Sequence, residues 1–322
     1  MNSDSNHTTL GTHSTTADVL AGVDLTGRTA VVTGGYSGLG LATSRALAGV
    51  GARVVVPARR PAAARQAVSG LAGVEVDELD LADLASVRAF AERFLRRQST
   101  LDILIAGAGI MACPQTRVGP GWEAQFAVNH LGHYALANLL WPALTAAGTA
   151  RVVCVTSGRD PTWRIRWDDV QFERDYDKWA AYTQSKLANI LFAHHLDALG
   201  RPLGVRAFSA NPGLVRTPLQ RHLAVEEMVA AGWIDAAGTS APGLFTTVEQ
   251  GAATQVWAAT SPGLDAHGGA YCIDCRTVEG SRTDRAEAAR LWKLSAELTG
   301  LDLAAHRRPA PPAAGAGGVG RR

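Results

Sequence analysis

Thr33-Gly34-Gly35-Tyr36-Ser37-Gly38-Leu39-Gly40 follows the β-branched run Thr29 to Thr33 (TAVVT) and opens a helical pattern running from about Leu39 to Val50. A strand, a glycine-rich turn and a helix in that order make the first half of a βαβ unit. Glycines 34, 38 and 40 give the spacing G-x-x-x-G-x-G. Side chains at those places would block backbone N–H groups from approaching a pyrophosphate at the helix N-terminus. Glycine spacing alone also suits an ordinary tight turn. Its position between the first strand and the first helix favours phosphate binding.

Outward from this turn the alternation continues. Strands are predicted at Arg53–Pro57, Val74–Leu79, Leu101–Ile105, Arg151–Val155, Val205–Ala210 and Ala270–Ile273. Helices are predicted over 62–71, 84–97, 122–147, 179–199 and 248–260. The strands are continuous apolar runs, as strands buried on both faces should be. The expectation is an α/β fold: one Rossmann-type doubly wound parallel β-sheet, helices on both faces, ligand at the carboxyl ends of the strands.

With 322 residues, 47% of them apolar and 19% charged, the chain can bury a large core and is not disordered. Length alone would allow two domains, but no linker interrupts the alternation. A single domain is therefore expected over 24–303. Residues 1–23 read as a loose polar leader and 304–322 as a loose Ala/Pro/Gly/Arg tail. A formal net charge of +2 offers no general attraction to nucleic acid. No signal-peptide pattern and no long apolar run appears, so the expected setting is cytoplasmic, without a membrane anchor. Of 31 basic residues only Lys178, Lys186 and Lys293 are lysine, a bias expected of a GC-rich, bacterial genome.

The second strand ends Val56-Pro57-Ala58-Arg59-Arg60, with no acidic residue nearby. An acid there would bind the ribose 2′-hydroxyl of NAD, whereas arginine accommodates the 2′-phosphate of NADP. Arg59 and Arg60 thus favour NADP(H), with NAD(H) as the alternative. Asp80-Leu81, after the third strand, is placed to meet the adenine edge. Tyr182 and Lys186 lie four apart on one helix and share a face. An adjacent ammonium lowers a phenol's pKa, and carbonyl reduction needs a proton donor for the alkoxide that hydride creates. Cys272 and Cys275 form a C-x-x-C without a second pair, and His130, His133, His194 and His195 lack a third ligand. No metal site is expected.

Thr33–Gly40, Asp80-Leu81, Asn129, Ser157, Tyr182 with Lys186, and Pro212-Gly213 occur in the order found in the short-chain dehydrogenase/reductase family. The chain resembles that family over about residues 24–275. Asn129-His130-Leu131-Gly132-His133, the run Tyr176 to Trp179, Ala181 to Asn189 and Tyr271 to Cys275 resemble its retinol dehydrogenase-like and WW-domain-containing oxidoreductase subgroup. The resemblance implies an NADP(H)-dependent oxidoreductase acting on a small-molecule carbonyl or alcohol, apolar by analogy with the subgroup. Tyr182 is implied to be the general acid or base. Lys186 would tune it and bind the nicotinamide ribose, Ser157 would bond the substrate oxygen, and Asn129 would hold a water linking Lys186 to solvent.

Tyr36, Ser37, Leu39, Ala108 and Gly109 join the implied cofactor contacts, as do Pro212, Gly213, Val215 and Thr217. Residues 216–245 would form a substrate lid, and Trp163, Trp167 and Trp233 flank it or the insertion before Tyr182. Ala106-Gly107-Ala108-Gly109 departs from the family's Asn-Asn-Ala-Gly, which implies weaker bracing of the sheet. A non-catalytic NADP(H)-binding sensor is the alternative reading. Family members pair through the Tyr-Lys helix. Leu187, Ile190, Leu191 and Phe192 make that helix apolar enough to permit a homodimer or homotetramer.

Overall fold

Short apolar runs alternate with amphipathic helices along the chain, and their hydrogen bonding closes a single central sheet. A computed structural model describes residues 10–158, 160–278 and 284–303. The first half contains α1 (Thr16–Val19), β1 (Thr29–Val32), α2 (Gly38–Gly49), β2 (Arg53–Ala58), α3 (Pro61–Ala67), β3 (Val74–Glu78), α4 (Leu84–Arg97) and β4 (Ile103–Ala106). A two-stranded ribbon, β5 (Arg117–Val118) and β6 (Trp122–Glu123), leads into α5 (Ala124–Phe126), a π-helical turn (Ala127–Leu131), α6 (Gly132–Leu139) and α7 (Trp141–Ala146). Then follow β7 (Arg151–Val155), α8 (Lys178–Gly200), β8 (Arg206–Asn211), α9 (Val225–Ala230), α10 (Val248–Thr260), β9 (Tyr271–Ile273), β10 (Arg276–Thr277) and α11 (Arg285–Thr299).

Among the described residues the main sheet has eight strands in the order β10-β9-β8-β7-β4-β1-β2-β3. All its pairings are parallel except β9 with β10. Side chains alternate across the pleat. Val31 of β1 packs with Phe90, Tyr134 and Phe192 on one side. Ala30 and Val32 pack with Leu47, Phe208 and Val256 on the other. The strand order reverses at β1, between β2 and β4. That switch point leaves a crevice at the carboxyl ends of these strands, where ligands of such sheets bind.

Three expectations need correction. The leader is not loose throughout. Thr15 and Asp18 form a capping box on α1, and Val19 and Leu20 are buried in the core. Residues 1–9 and the tail 304–322 lie outside the described residues. The stretch 122–147 is not one helix, because Trp122–Glu123 pairs as a strand with Arg117–Val118 and a π turn interrupts the rest. Helix α11 was not anticipated, although Ala288, Leu291, Trp292, Ser295 and Thr299 are buried at helical spacing.

Candidate active site

The glycine turn is closed by contacts that leave no space for side chains. A Cβ on Gly40 would stand 2.2 Å from the carbonyl oxygen of Gly34. One on Gly34 would stand 3.1 Å from the Cα of Ala108, so the turn and the end of β4 are in direct apposition. Ser37 is the N-cap of α2 but makes no side-chain capping bond. The first N–H groups of α2 therefore have no cap from that hydroxyl, as befits a terminus that receives an anion. Leu39 lies in the first turn of α2, and Tyr36 packs against the core beside β2. These features fit a dinucleotide.

Arg59 follows β2 and lines a recess of about 470 Å³ with Asp80, Glu78, Asp83 and Arg93. Arg60 is the N-cap residue of α3 and does not line that recess. The Asp80 carboxylate accepts from the N–H of Ala82 at 2.9 Å, and Leu81 is buried against Gly132. On the far side, Gly213 takes a positive φ of 74° and donates its N–H to Asn211 at 3.0 Å, after Pro212. Val215 bridges to Thr246, and Thr217 caps the 3₁₀ turn Pro218–His222. A Cβ on Gly38 would be 3.2 Å from Thr217, so the glycine turn and the start of the segment expected to form a lid touch.

Helix α8 carries the expected Tyr182–Lys186 pair. Asp177 caps it, its side chain accepting from the N–H of Ala180. Tyr182 and Lys186 stand one turn apart on it, both buried, with the ammonium 5.7 Å from the phenol ring centroid. Lys186 Nζ donates to the carbonyl of Val155, the last residue of β7, at 3.1 Å. Ser157 lies two residues beyond, and its side chain faces the Tyr182 phenol closely enough to oppose the upward shift of its pKa. Asn129 sits in the π turn, a distortion that recurs at functional sites. Its Nδ2 donates to Ser185 and to the carbonyl of Ile110, while its Oδ1 accepts from the N–H of Ile110, each at 2.9 Å. A Cβ on Gly109 would lie 3.1 Å from Asn129 Oδ1 and 3.7 Å from Lys186 Nζ. The structure thus brings Gly109, Asn129, Ser157, Tyr182 and Lys186 together. The Asn129 side chain is committed to positioning the loop after β4 and α8.

The expected sign of the Tyr182 shift is not the one found. Burial pushes the phenol up to about 12, with the Ser157 hydrogen bond opposing. Burial pushes the Lys186 ammonium down to about 8, with Cys154 opposing. Both follow from one cause: a low-dielectric pocket disfavours phenolate and ammonium alike.

The departure at Ala106-Gly107 has a substitute for the missing amides. Thr33 Oγ1 accepts from the N–H groups of Gly107 at 2.9 Å and Ala108 at 3.0 Å. The same hydroxyl is 2.8 Å from His133 Nε2, and His133 Nδ1 is 2.9 Å from the carbonyl oxygen of Asn129. A carbonyl can only accept, so Nδ1 carries the proton and Nε2 accepts from Thr33. His133 is fully buried and its pKa is pushed down to about 4 by that burial, which keeps it neutral. It ties the glycine turn to Asn129. The expected loss of bracing is therefore not what the bonds show.

The sequence also did not reveal what faces Tyr182. Met111 and Ala112 cluster with it, joined by Trp179, Leu219, Leu223 and Trp233. Trp179 meets Tyr182 edge-on at 6.4 Å, and Trp233 meets Trp179 edge-on at 6.2 Å. Lys178 and Glu227 form an ion pair that holds α9 to the start of α8. Of the flanking tryptophans only Trp233 joins this wall. Trp167 lies under Arg290 at 4.2 Å, and Trp163 makes a local turn with Asp160. Cys272 and Cys275 are buried free thiols at a β9–β10 hairpin, pushed up to about 12 and about 11 by burial. Such thiols are inert.

A family profile described as short chain dehydrogenase matches residues 28–227. A "Probable oxidoreductase" of Streptomyces antibioticus is 44% identical over 293 residues, covering 84% of this chain and 97% of that one. Human Retinol dehydrogenase 12 is 37% identical, covering 87% of this chain and 88% of the relative. Among solved structures, an uncharacterised protein from Mycobacterium paratuberculosis superposes with a TM-score of 0.70 at 36% identity, covering 90% of this chain and 98% of that one. A protein assigned as an NAD(P) dependent gluconate 5-dehydrogenase from Beutenbergia cavernae, with bound NADP, gives 0.60 at 28% identity, covering 77% and 95%. Among the described residues no helix is long and apolar enough to cross a membrane.

Proposed function

The chain belongs to the short-chain dehydrogenase family, and from that premise we propose that it is an NADP(H)-preferring oxidoreductase for apolar aldehydes, ketones or alcohols. The observation that carries this reading is the Tyr182 phenol, faced by Ser157 and one turn from Lys186, set against an apolar wall. The glycine turn, Arg59, Asp80, Gly109 and the Pro212–Thr217 segment would hold the dinucleotide. When bound, the nicotinamide supplies or accepts hydride at the substrate carbon.

The chain's own residues manage the proton and the substrate oxygen. A phenol held near 12 is protonated at neutral pH, which is the form that donates as a carbonyl becomes an alcohol. Ser157 faces that phenol, so a carbonyl oxygen between them would meet two hydroxyl donors. Lys186, held near 8, exchanges its proton more readily close to neutral pH than an ordinary lysine. Its bond to the Val155 carbonyl fixes the ammonium at the floor of the site.

Substrate character rests on the wall of Met111, Trp179, Leu219, Leu223 and Trp233. Relatives named retinol dehydrogenase agree with an apolar substrate. Cofactor preference rests on Arg59 and Arg60 and on the absence of an acid at the end of β2. The test is oxidation of NADPH and NADH followed at 340 nm across a panel of aldehydes and ketones of graded apolarity. Faster turnover with NADPH, rising with substrate apolarity, is expected. Tight NADPH binding with no turnover on any carbonyl would favour the sensor instead.

A further inference from the structure

Helix α8 carries the Tyr182–Lys186 pair and is covered on nearly every side. Of its 23 residues only Ala180 and Ala198 are exposed. Even its polar Gln184, Ser185, Lys186, Asn189 and Asp197 are buried, so neighbouring elements surround it. Strands β7 and β8 cover one side, and α5 with the π turn covers another. The outer side is closed by the chain's own C-terminal segment, where Ala288 and Leu291 cluster with Leu191, and Trp292 covers Phe192. Of the four residues expected to permit pairing with a second copy, Ile190, Leu191 and Phe192 are buried and Leu187 is half-buried.

Trp292 of α11 is the centre of that closure. It stacks on Phe192 with ring centroids 5.9 Å apart and an interplanar angle of 18°. It also meets Tyr134 edge-on at 4.9 Å and His195 at 5.0 Å. Polar bonds fix the register. Ser295 Oγ is 2.8 Å from His130 Nε2, Tyr134 donates its hydroxyl to the carbonyl of Leu301 at 2.8 Å, and Leu303 donates its N–H to Asn138 at 3.0 Å. The opposite face of α11 presents Arg285, Arg290, Lys293 and Glu297 to solvent. An apolar helix face has been exchanged for a charged one, and interface cores are depleted of charge.

We infer that α11 is a built-in cap that occupies the place of a second subunit on the catalytic helix. The chain does not pair through α8, and loss of the cap turns that face into a self-association surface. Because His130 belongs to the π turn that carries Asn129, and Phe192 to α8, the cap also supports two elements of the site.

The test measures molar mass by light scattering over a range of concentrations for three full-length proteins: the natural chain, the R290E/K293E variant and Trp292→Glu. The double variant reverses two outward charges of α11 and removes the Arg290 contact with Trp167, but leaves the buried Trp292 contacts in place. Equal mass for it and the natural chain is expected, with 33.8 kDa as the monomer value. A mass that changes with R290E/K293E would mean that copies meet over this face, and would overturn the inference. Trp292→Glu places a charge inside the cap contact, and its mass is expected to rise with concentration. If circular dichroism shows it folded yet its mass tracks the natural chain throughout, the claim about the uncovered face fails. Should it not fold, the R290E/K293E comparison still decides.

Discussion

Gly40→Ala and Gly49→Ala put the same methyl group into the same helix and should act in opposite directions. Both residues lie in α2. Beside Gly49 a Cβ meets nothing within 4 Å, so the change removes backbone freedom from the unfolded chain without a clash. A gain of about 0.5 kcal/mol is expected there, near the helix end, or a melting temperature higher by about 1–2 °C. At Gly40 the Cβ would stand 2.2 Å from the Gly34 carbonyl oxygen and 2.6 Å from its carbon. Those atoms are backbone of the glycine turn and cannot swing aside. Overpacking costs about 1–3 kcal/mol against a helix gain of about 1, so the net loss reaches about 2 kcal/mol. The displacement falls on the turn itself. A rise of at least about tenfold in the NADPH dissociation constant follows from losing about 1.4 kcal/mol of binding. Thermal melting and fluorescence titration with NADPH read both quantities. If Gly40→Ala binds NADPH as the natural chain does and melts higher, as Gly49→Ala should, the assignment of this turn is refuted.

Thr33→Val keeps the shape but removes the hydroxyl that serves Gly107, Ala108 and His133. About 2–4 kcal/mol of stability should be lost in urea unfolding, and a loss under about 0.5 kcal/mol would deny the bracing role. His130 and His133 are held neutral by burial, at about 3 and about 4, against 6.5 when unfolded. Below pH 6.5 the unfolded chain therefore takes up protons that the native chain refuses. Stability should fall as pH drops from about 6.5 towards 4, by up to ~1.4 kcal/mol per pH unit for each histidine. Melting measured against pH should show a shallower fall in His133→Gln, and an unchanged slope would contradict the shift. Replacing Arg59 and Arg60 by serine should raise the NADPH dissociation constant more than that for NADH. Equal changes in titrations of both cofactors would remove the case for NADP.

Much of the fold was legible because buried parallel strands are written as local apolar runs. Helix α4 begins and ends where Val87, Phe90, Ala91 and Phe94 place it. The two-residue strands β5 and β6 are too short to carry a period, and α1 is announced only by the Thr15–Asp18 capping box. Helix α11 had helical spacing in its sequence but a polar Ser295 and Thr299 among its buried positions, which hid the pattern. At the site, Tyr182 and Lys186 could be paired because one helical turn joins them. Thr33 and His133 could not, since their bond spans 100 positions. The sign of the Tyr182 shift was illegible for a related reason. Burial is a property of the assembled core, and here it is the largest influence on the phenol.

The central claim is that Tyr182 supplies the proton to a substrate oxygen. Tyr182→Phe removes one hydroxyl and leaves the ring and its edge-on contact with Trp179 in place. NADPH oxidation with the best carbonyl of the panel should fall by at least about a hundredfold, the scale of general acid catalysis. NADPH affinity, measured on the same preparation, should stay within about threefold of the natural chain, since about 0.6 kcal/mol or less would have changed. Turnover retained in Tyr182→Phe would contradict the account.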